Sequence, residues 1–363
     1  MTGRLLLASI VVAMHPMSLS ASIGPIFDSH ENTWDATHIV VVEGEKIVAS
    51  WKGDLKPGTT LPSGADRFAR IPVPPLGRLL NPPREKAAAA IGKHRVLFLA
   101  HMPQQGDETK KPMWMAADSA GHPSNPTSIT SVAWIEGERV YYAGQMSNPG
   151  ELVLCELGSL SELKQRVDLG IALRDLFDLA KRDGDAKRCA VRLGVLAPTL
   201  ASYSRTGGVR DCASELIRCG ESAVSIFTRW IVDPGGKYQF RESGLWGLSQ
   251  LGDIGIDGMI GVLNEETAYW KTVAAELKGR SVRDVTGKGL FTRVPSHLYH
   301  LLAQVRNMKL SEANQERLKS HKALLELDRL LREVPGMKPE KSEMVEVHKI
   351  LQDILAGKFR KDG

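Results

Sequence analysis

Short runs of β-branched and aromatic residues alternate with glycine-containing turns between residues 33 and 155. Two pairs of these runs are each joined by an acid-glycine-acid turn: Thr37–Val42 with Lys46–Trp51, and Thr130–Ile135 with Arg139–Ala143. Glycine suits such turns because it adopts positive φ without strain. The pattern therefore predicts two β-hairpins, and the apolar run Arg95–Ala100 predicts a further strand between them.

Proline is concentrated in the same part of the chain. Eleven of the 19 prolines fall between Pro57 and Pro126. Because each proline removes a backbone donor, these stretches are predicted to be loops and not central strands or long helices. Strands joined by long loops, without a regular helix, indicate a small β-barrel or sandwich.

From Ser159 onward, the apolar positions recur with the period of a helix. Ser159 and Glu162 have the spacing of a capping box, in which each side chain accepts a hydrogen bond from the other residue's amide. The pattern predicts helices at Leu163–Ala180, Ala186–Leu196, Val209–Cys219, Ser222–Val232, Phe240–Leu251, Gly255–Leu263, Ser296–Met308, Ser311–Val334 and Ser342–Leu355.

Two neighbouring helical pairs repeat the same order of residues 32 positions apart. Apolar residues meet apolar residues at the core positions, and a glycine followed by an acid recurs at the turn, as Gly220-Glu221 and Gly252-Asp253. Glycine ends a helix in a conformation that is costly for other residues, and an acid suits the start of the next helix. The segment Arg241–Asp253 resembles the first helix and turn of a HEAT-like repeat. This resemblance implies a stack of helical hairpins, since one hairpin cannot bury its apolar face alone.

The β-rich part carries a second resemblance, over residues 40–99. The order Val-Val-Val-Glu-Gly, Trp-Lys-Gly-Asp-Leu-Lys-Pro-Gly and Val-Leu-Phe-Leu is similar to the opening of OB-like barrels of the netrin-like and metalloprotease-inhibitor type. Those inhibitors chelate the protease metal with an N-terminal cysteine, and no cysteine precedes Cys155. The resemblance therefore implies the barrel but not that mechanism of inhibition.

Together these patterns predict a multidomain α+β protein. A small N-terminal β-barrel or sandwich, residues 22–157 with proline-rich loops, precedes an all-α stack of HEAT-like helical hairpins, residues 158–363. The segment Asn264–Pro295 is expected to interrupt the stack, with part of it, residues 265–277, compatible with a helix. Residues 279–295 are expected to form a long loop, and such loops in compact folds are usually functional or mobile.

The first 21 residues predict export. Arg4 makes the start positive, Leu5–Met14 is an apolar run, and small residues follow at Ser18–Ser22. This order is typical of a secretory signal peptide, and the alternative is a buried N-terminal strand or helix. The apolar run is too short to cross a bilayer, and no later segment is long enough. The mature chain is therefore expected in the periplasm or outside the cell, without a membrane span.

Composition narrows the classes of partner. With 42% hydrophobic and 25% charged residues, the chain has the composition of a soluble globular protein. The net charge of +5 is spread along the chain without a block of like charges, and no nucleic-acid-binding motif accompanies it. Nucleic acid is therefore not an expected partner.

The cysteines leave the redox state open. Cys155, Cys189, Cys212 and Cys219 allow three pairings in an oxidised chain, and spacing alone does not choose among them. Cys212 and Cys219 lie about 10 Å apart along one predicted helix, so they cannot bridge each other while that helix is intact. The alternative is that the cysteines are small buried residues of a helical core.

No catalytic or cofactor-binding arrangement stands out in the sequence. His297 and His300 have the spacing of a metal-binding pair on one helix face, but no third ligand accompanies them. The stretch Gly279–Gly289 lacks the strand and the Ser/Thr that a phosphate-binding loop requires, and no Gly-x-Ser-x-Gly is present. The chain is therefore expected to have no metal, no cofactor and no enzymatic activity.

An aromatic and cationic group provides the candidate partner-binding site. Trp, Tyr and Arg are enriched at the hot spots of protein interfaces, and helical stacks present such residues on a concave face. The group consists of Arg241, Trp246, Tyr269, Trp270 and Lys271. The alternative is that these aromatic residues belong to the core, at apolar helix positions.

The expected function is protein binding or scaffolding by the helical stack of an exported protein. This expectation rests on what HEAT-like stacks usually do. Two alternatives stay open. One is an envelope hydrolase or metal-dependent enzyme that uses His297 and His300. The other is an inhibitor or glycan-binding module in the β-domain that uses Trp51, Trp114 and Trp134.

Overall fold

A computed structural model describes residues 23–25, 27–74, 91, 93–102, 112–117, 129–146, 152–203, 207–233, 238–277, 295–333 and 343–359. The chain divides into two compact units, residues 1–165 and residues 166–363. Strands dominate the first unit and helices the second, which confirms the α+β fold class. The signal peptide predicted at residues 1–21 and the loop predicted at 279–295, apart from Pro295, lie outside the described residues.

The described strands of the first unit form one open antiparallel sheet of eight strands. They are β1 (Ile23–Pro25), β2 (His38–Glu43), β3 (Lys46–Lys52), β4 (His94–Met102), β5 (Met113–Ala116), β6 (Val132–Glu136), β7 (Arg139–Met146) and β8 (Leu152–Ser159), with short helices α1 (Ser29–Asp35) and α2 (Asp66–Ala69). The lateral order is β1-β7-β6-β4-β2-β3, and β5 pairs with β4 and β8 with β7. Among the described strands, no pair closes this layer into the expected barrel or adds a second layer, because β3 and β8 each pair with one strand.

Both predicted hairpins are confirmed, and both turn on a glycine. Gly44 between β2 and β3 and Gly137 between β6 and β7 have φ of 58°. This left-handed conformation suits the twist of a tight hairpin. Strand β4 pairs with β2 on one side and with β6 on the other, so the predicted strand Arg95–Ala100 lies in the middle of the sheet.

The sheet buries apolar residues on both faces. Leu97 and Trp134 pack on one face against Phe68 of α2. Phe98 alternates with Leu97 and therefore points to the other face, where its ring centroid lies 5.6 Å from that of Phe27. Burial on both faces explains why the central strand is a continuous apolar run.

Ten helices follow in the described residues. They are α3 (Leu160–Lys181), α4 (Ala186–Tyr203), α5 (Gly207–Arg218), α6 (Glu221–Val232), α7 (Tyr238–Gln250), α8 (Ile256–Leu277), α9 (Pro295–Arg306), α10 (Glu312–Lys319), α11 (Lys322–Glu333) and α12 (Glu343–Leu355). The predicted capping box starts α3. The Ser159 amide donates to Glu162 Oε2 at 2.9 Å, and the Glu162 amide donates to Ser159 Oγ at 3.2 Å.

Helices α4 to α12 are stacked in two layers. Helices α4, α6, α8 and α11 contact one another in that order, and so do α5, α7, α9 and α12. The layers contact each other through α4 with α5, α6 with α7, α7 with α8, and α11 with α12, while α10 lies against α11 and α12. Each helix can thus bury its apolar side against several neighbours. No described helix is both long enough and apolar enough to span a membrane.

The correspondence between the two repeated segments extends to conformation and burial. Gly220 and Gly252 have φ of 59° and 56°, and Leu216 and Leu248 are each 0% exposed. The surroundings of the two turns differ. The space beside Gly220 is open, whereas a Cβ on Gly252 would lie 2.6 Å from the carbonyl oxygen of Lys309. The second turn is therefore specialised for contact with the segment that precedes α10.

The acid in this second turn caps a distant helix. Asp253 Oδ1 accepts hydrogen bonds from the Ser311 amide at 3.0 Å and from Asn314 Nδ2 at 2.8 Å. Ser311 is the residue that immediately precedes α10. The sequence pattern placed this acid at the start of the helix that follows it directly, and the structure adds a capping role across the stack.

Replacing Asp253 with alanine is expected to lower the free energy of unfolding at neutral pH by about 1 kcal/mol, the usual cost of removing a helix cap. Hydrogen bonds from Asn314 and Ser311 hold the pKa of Asp253 below its usual range. The ionised carboxylate therefore stabilises the fold above the unfolded-state pKa of about 3.9, and this contribution is lost as the pH falls through the lower folded-state pKa. Urea unfolding measures the free energy of unfolding of the parent protein and of Asp253→Ala. The difference between the two values should shrink below about pH 3.

Asp257→Ala is the matched control, since the exposed Asp257 pairs with Arg317 at the surface in the part of the chain that the structure describes. Its expected effect is below about 0.5 kcal/mol. An equal loss in both variants, or a loss in Asp253→Ala that does not change with pH, would argue against the capping role.

The predicted interruption of the stack does not begin at Asn264. Helix α8 continues past Asn264 to Leu277 without a break, which confirms the helix considered for residues 265–277. The repeated pattern and the predicted helix Gly255–Leu263 both end before Asn264, which suggested the break. In the structure Glu266 is 1% exposed and points inward, where it has hydrogen-bond partners on α7 and α8.

One predicted helix is divided. The segment Ser311–Val334 forms α10 and α11, which are separated at Ser320-His321. His321 Nδ1 accepts the Ala323 amide at 3.3 Å and so caps the start of α11. Burial lowers the pKa of His321, which favours the neutral ring that this acceptor role requires.

Candidate functional site

Helices α7 and α8 meet at a buried ion pair. Arg241 Nη2 donates to Glu266 Oε2 at 2.7 Å, and Trp270 Nε1 donates to Glu266 Oε1 at 3.0 Å. Arg241 Nη1 also donates to the carbonyl oxygen of Ile231 at 3.3 Å, which ties the pair to the end of α6. The side chains of Arg241 and Glu266 are 11% and 1% exposed. Both carboxylate oxygens thus have a donor in a site that excludes most water.

The structure therefore brings two of the predicted site residues together, but inside the protein. Trp270 is 0% exposed and Arg241 is nearly buried. Arg241 joins α7 to Glu266 on α8, and Trp270 bonds to Glu266 from the same helix. The alternative that the sequence left open, a core role, describes Trp270. Glu266 was missed by sequence reasoning. Its signal was its spacing from Leu263 and Trp270, which places a carboxylate in phase with the apolar side of the helix.

The residues on either side of Trp270 reach the surface. Tyr269 is partly exposed, and its ring meets that of Trp270 edge to face at 5.6 Å. Lys271 is exposed, and its Nζ lies 3.3 Å from Glu326 Oε1 on α11. Trp246 is partly exposed on α7. These three predicted site residues remain candidates for contact with a partner.

A charged network crosses from α8 to α11. Arg329 donates two hydrogen bonds of 2.8 Å to Glu326 and one of 2.7 Å to Glu333. The Arg329 hydrogen bonds, with Lys271 as the further contributor, lower the pKa of Glu326 to about 2. Leu325 lies beside this network and is 49% exposed. We refer to Lys271, Leu325, Glu326 and Arg329 as the α8–α11 surface. Tyr269, two residues before Lys271, lies on the other flank of α8.

The histidines of the alternative metal site have aromatic neighbours. The ring of His297 stacks on Tyr238 with 5.8 Å between centroids, and the ring of His300 meets Tyr299 edge to face at 5.6 Å. A hydrogen bond to Glu242, together with burial, raises the pKa of Tyr238 to about 12. Within the described ranges, no group of three or more His, Cys, Asp or Glu side chains is placed to hold a metal ion.

Sequence reasoning also missed a polar cluster in the first unit. His38 Nε2 lies 2.8 Å from Asp54 Oδ1, and His38 Nδ1 lies 2.8 Å from the Thr37 hydroxyl. Trp114 packs edge to face on His38 at 4.9 Å and stacks on His101 at 4.3 Å. The hydrogen bond from His38 is the main cause that lowers the pKa of Asp54.

This cluster has the carboxylate-imidazole-hydroxyl order of hydrolase triads, but its hydroxyl is already engaged. The Thr37 oxygen accepts the His101 amide at 2.8 Å, and the hydroxyl also lies 3.3 Å from the carbonyl oxygen of Leu99. These bonds join the start of β2 to the end of β4. Gly53 lies directly against the same ring, because a Cβ built there would lie 2.3 Å from His38 Cδ2. These contacts therefore favour a structural role for the Thr37 hydroxyl, which joins β2 to β4, over a role as a nucleophile.

The three tryptophans of the glycan-binding alternative occupy different environments. Trp134 is 0% exposed and belongs to the core. One face of Trp114 is covered by His101. Trp51 is partly exposed, and Lys164 Nζ lies 5.6 Å from the centroid of its ring. Only Trp51 and Trp114 among the three therefore reach the surface.

Comparison of the chain with protein-family models, curated proteins and solved structures finds no match.

Proposed function

We propose that this chain is an exported, non-enzymatic protein that binds a protein partner through a HEAT-like stack of helices. The observation that carries the proposal is the two-layer packing of α4 to α12, in which successive helices, apart from α10, alternate between layers. Stacks of this kind leave a long surface on each layer, and such surfaces are commonly used to bind proteins. Because a fold does not by itself determine function, a crosslinking experiment tests the binding role directly.

The α8–α11 surface is the proposed contact region. It combines an exposed leucine with paired charges, and Tyr269 lies across the exposed face of α8 from Lys271; this mixture is typical of protein interfaces. Tyr269 and Leu325 would supply the apolar contact, and Lys271 and Arg329 would supply charge-assisted hydrogen bonds. Trp246 on α7 is a further candidate contact.

The buried ion pair supports this role by holding the surface in place. Tyr269 and Lys271 are the chain neighbours of Trp270, whose indole is bonded to Glu266. Glu266 is in turn bonded to Arg241 on the neighbouring helix. Rigid support of this kind reduces the entropy that binding would otherwise cost.

A site-specific photo-crosslinker tests the proposed contact in cells that produce the protein. A benzophenone side chain at Thr272, which is exposed next to Lys271, is expected to give a discrete adduct with one protein. The control position is Ser214 on α5, which is exposed in the other layer and should not give this adduct. Lys271→Glu and Tyr269→Ala are each expected to weaken the adduct about tenfold or more, the effect of losing a hot-spot contact.

The same two variants should keep the unfolding midpoint of the parent protein, because surface substitutions usually change stability by less than about 0.5 kcal/mol. Two results would rule out the α8–α11 surface as the contact region. One is an equal yield of the adduct from Thr272 and Ser214, and the other is a yield from Thr272 that Lys271→Glu does not change. Turnover found in a substrate screen, without any specific adduct, would overturn the proposed function itself.

A further inference from the structure

Three of the four cysteines lie in the hairpin formed by α4 and α5. Cys189 is in the first turn of α4, Cys212 is in the middle of α5, and Cys219 follows the last residue of α5. All three are buried, with exposures of 6%, 0% and 8%. Helices α4 and α5 are consecutive, pack on each other and are joined by a short connection, so they run antiparallel. The start of α4 and the end of α5 therefore lie at the same end of the hairpin.

The register of the two helices distinguishes among the possible pairs. A Cβ built on Gly208 of α5 would lie 3.2 Å from the Cβ of Leu200 on α4, so these two positions are level with each other. Cys189 lies 11 residues before Leu200 and Cys219 lies 11 residues after Gly208, so antiparallel packing places the two cysteines level with each other as well. The thiol of Cys219 lies 3.6 Å from the carbonyl oxygen of Glu215, one turn earlier on α5. Cys212 is about 10 Å from Cys219 along the helix axis, since seven residues rise 1.5 Å each. Geometry therefore leaves Cys189 and Cys219 as the pair within reach of a covalent bond.

We propose that Cys189 and Cys219 are a disulfide-forming pair, which closes the α4–α5 hairpin covalently after reaction with a disulfide oxidant. One thiolate attacks the oxidant, forms a mixed disulfide and releases the first reduced thiol of the oxidant. The thiolate of the other cysteine then attacks the protein sulfur of that mixed disulfide and releases the second thiol of the oxidant. Two cysteine thiols are oxidised, one disulfide of the oxidant is reduced to two thiols, and the protons move with the released thiolates.

The burial of the two cysteines makes the rate of this reaction depend on opening of the hairpin. Burial, with the neighbouring thiol as a further cause, raises the pKa of Cys219 to about 12. Little thiolate is then present at neutral pH, and thiolate is the reacting species. The pair should therefore react slowly in the closed hairpin and faster during folding or transient opening. Once formed, the buried bond would be protected from reductants in solution.

Each cysteine of the hairpin lies on its own tryptic peptide, which makes the assignment direct. Cys189 lies in Cys189–Arg192, Cys212 in Asp211–Arg218 and Cys219 in Cys219–Arg229. The reduced full-length protein is incubated with glutathione disulfide at mildly alkaline pH, with and without moderate urea, then alkylated and digested. The expected product is a linked pair of the first and third peptides, with the second peptide alkylated. Urea should speed its formation.

Thermal unfolding gives an independent readout. Closing the loop between Cys189 and Cys219 should raise the unfolding midpoint of the helical unit by roughly 5–10 °C under oxidising conditions. Cys212→Ala is the matched control and should keep both the linked peptide and the shift. Cys219→Ala should lose both the linked peptide and the thermal shift. If that variant folds poorly, the peptide map of the parent protein still tests the proposal.

Three results would overturn the proposal. The first is a linked pair that joins Cys189 to Cys212. The second is a mixed disulfide with glutathione on Cys189 that never resolves. The third is alkylation of all three peptides after oxidation in urea followed by refolding. None of these outcomes bears on the α8–α11 surface, so the proposed protein-binding function stands or falls separately.

Discussion

Glu266→Ala is expected to lower the free energy of unfolding of the helical unit by about 3–5 kcal/mol, since it leaves the nearly buried Arg241 guanidinium without its carboxylate. It also removes the acceptor of the Trp270 indole, which is fully buried. Chemical denaturation followed by circular dichroism at 222 nm, a helix signal, measures the loss. The neighbouring substitution Glu265→Ala is the control, because Glu265 is exposed. It should change stability by less than about 0.5 kcal/mol.

A double substitution tests the mechanism behind this loss. Arg241→Ala with Glu266→Ala removes both charges, so the combined loss should be clearly smaller than the sum of the two single losses. Additive losses would mean that the two side chains contribute through separate contacts. Because the ion pair supports the α8–α11 surface, Glu266→Ala should weaken partner binding and stability together. Lys271→Glu should weaken binding alone.

The second large effect is expected at Gly247 on α7, which faces the ring of Phe227 on α6. A Cβ on Gly247 would lie between 2.4 and 2.6 Å from three carbons of the Phe227 ring. That ring is 0% exposed and is also packed against Trp230, so it has little room to move. Gly247→Ala should therefore cost about 1–3 kcal/mol through overpacking, although alanine is the better helix former.

Gly261→Ala is the matched control within α8. Apart from the nearby backbone of its own helix and its chain neighbours, no described atom lies within 4 Å of a Cβ built on Gly261. The same substitution there should stabilise the protein by about 0.5–1 kcal/mol, because it removes backbone freedom from the unfolded chain. Opposite signs for the two variants, measured by urea unfolding, are the expected result. A stabilised Gly247→Ala protein would mean that α6 and α7 do not pack at this distance.

Phe227→Leu provides a further check on the same contact. Leucine is smaller than phenylalanine, so it should make room for a methyl group at position 247. The double variant should therefore be more stable than the sum of the two single losses predicts. Strict additivity would show that the Gly247 methyl clashes with another group.

Features that depend on near neighbours in the chain were predicted well from the sequence. The hairpin turns at Gly44 and Gly137 and the capping box at Ser159 involve residues within a few positions of one another. The repeated glycine turns at Gly220 and Gly252 are also local, since each ends a helix in the left-handed region. Such signals survive in sequence because the interacting groups lie on the same short segment.

The candidate site was predicted only in part. The sequence singled out Arg241 and Trp270, but it could not show that both meet the same carboxylate. Glu266 lies 25 residues after Arg241, and their contact exists only when α7 and α8 are packed together. In the same way, the carboxylate partner of Lys271, Glu326, comes from a helix that is distant in the chain.

Composition and periodicity by themselves determined that strands precede helices, where the hairpin turns fall and which residues face the core of most helices. These properties follow from backbone preferences and from side-chain spacing along one element. Only the tertiary structure decided that the described strands stay an open sheet, that α8 continues past Asn264 and that Cys189 and Cys219 lie at the same end of the α4–α5 hairpin. Each of those outcomes depends on contacts between distant segments, whose free energy appears only when the segments are packed together.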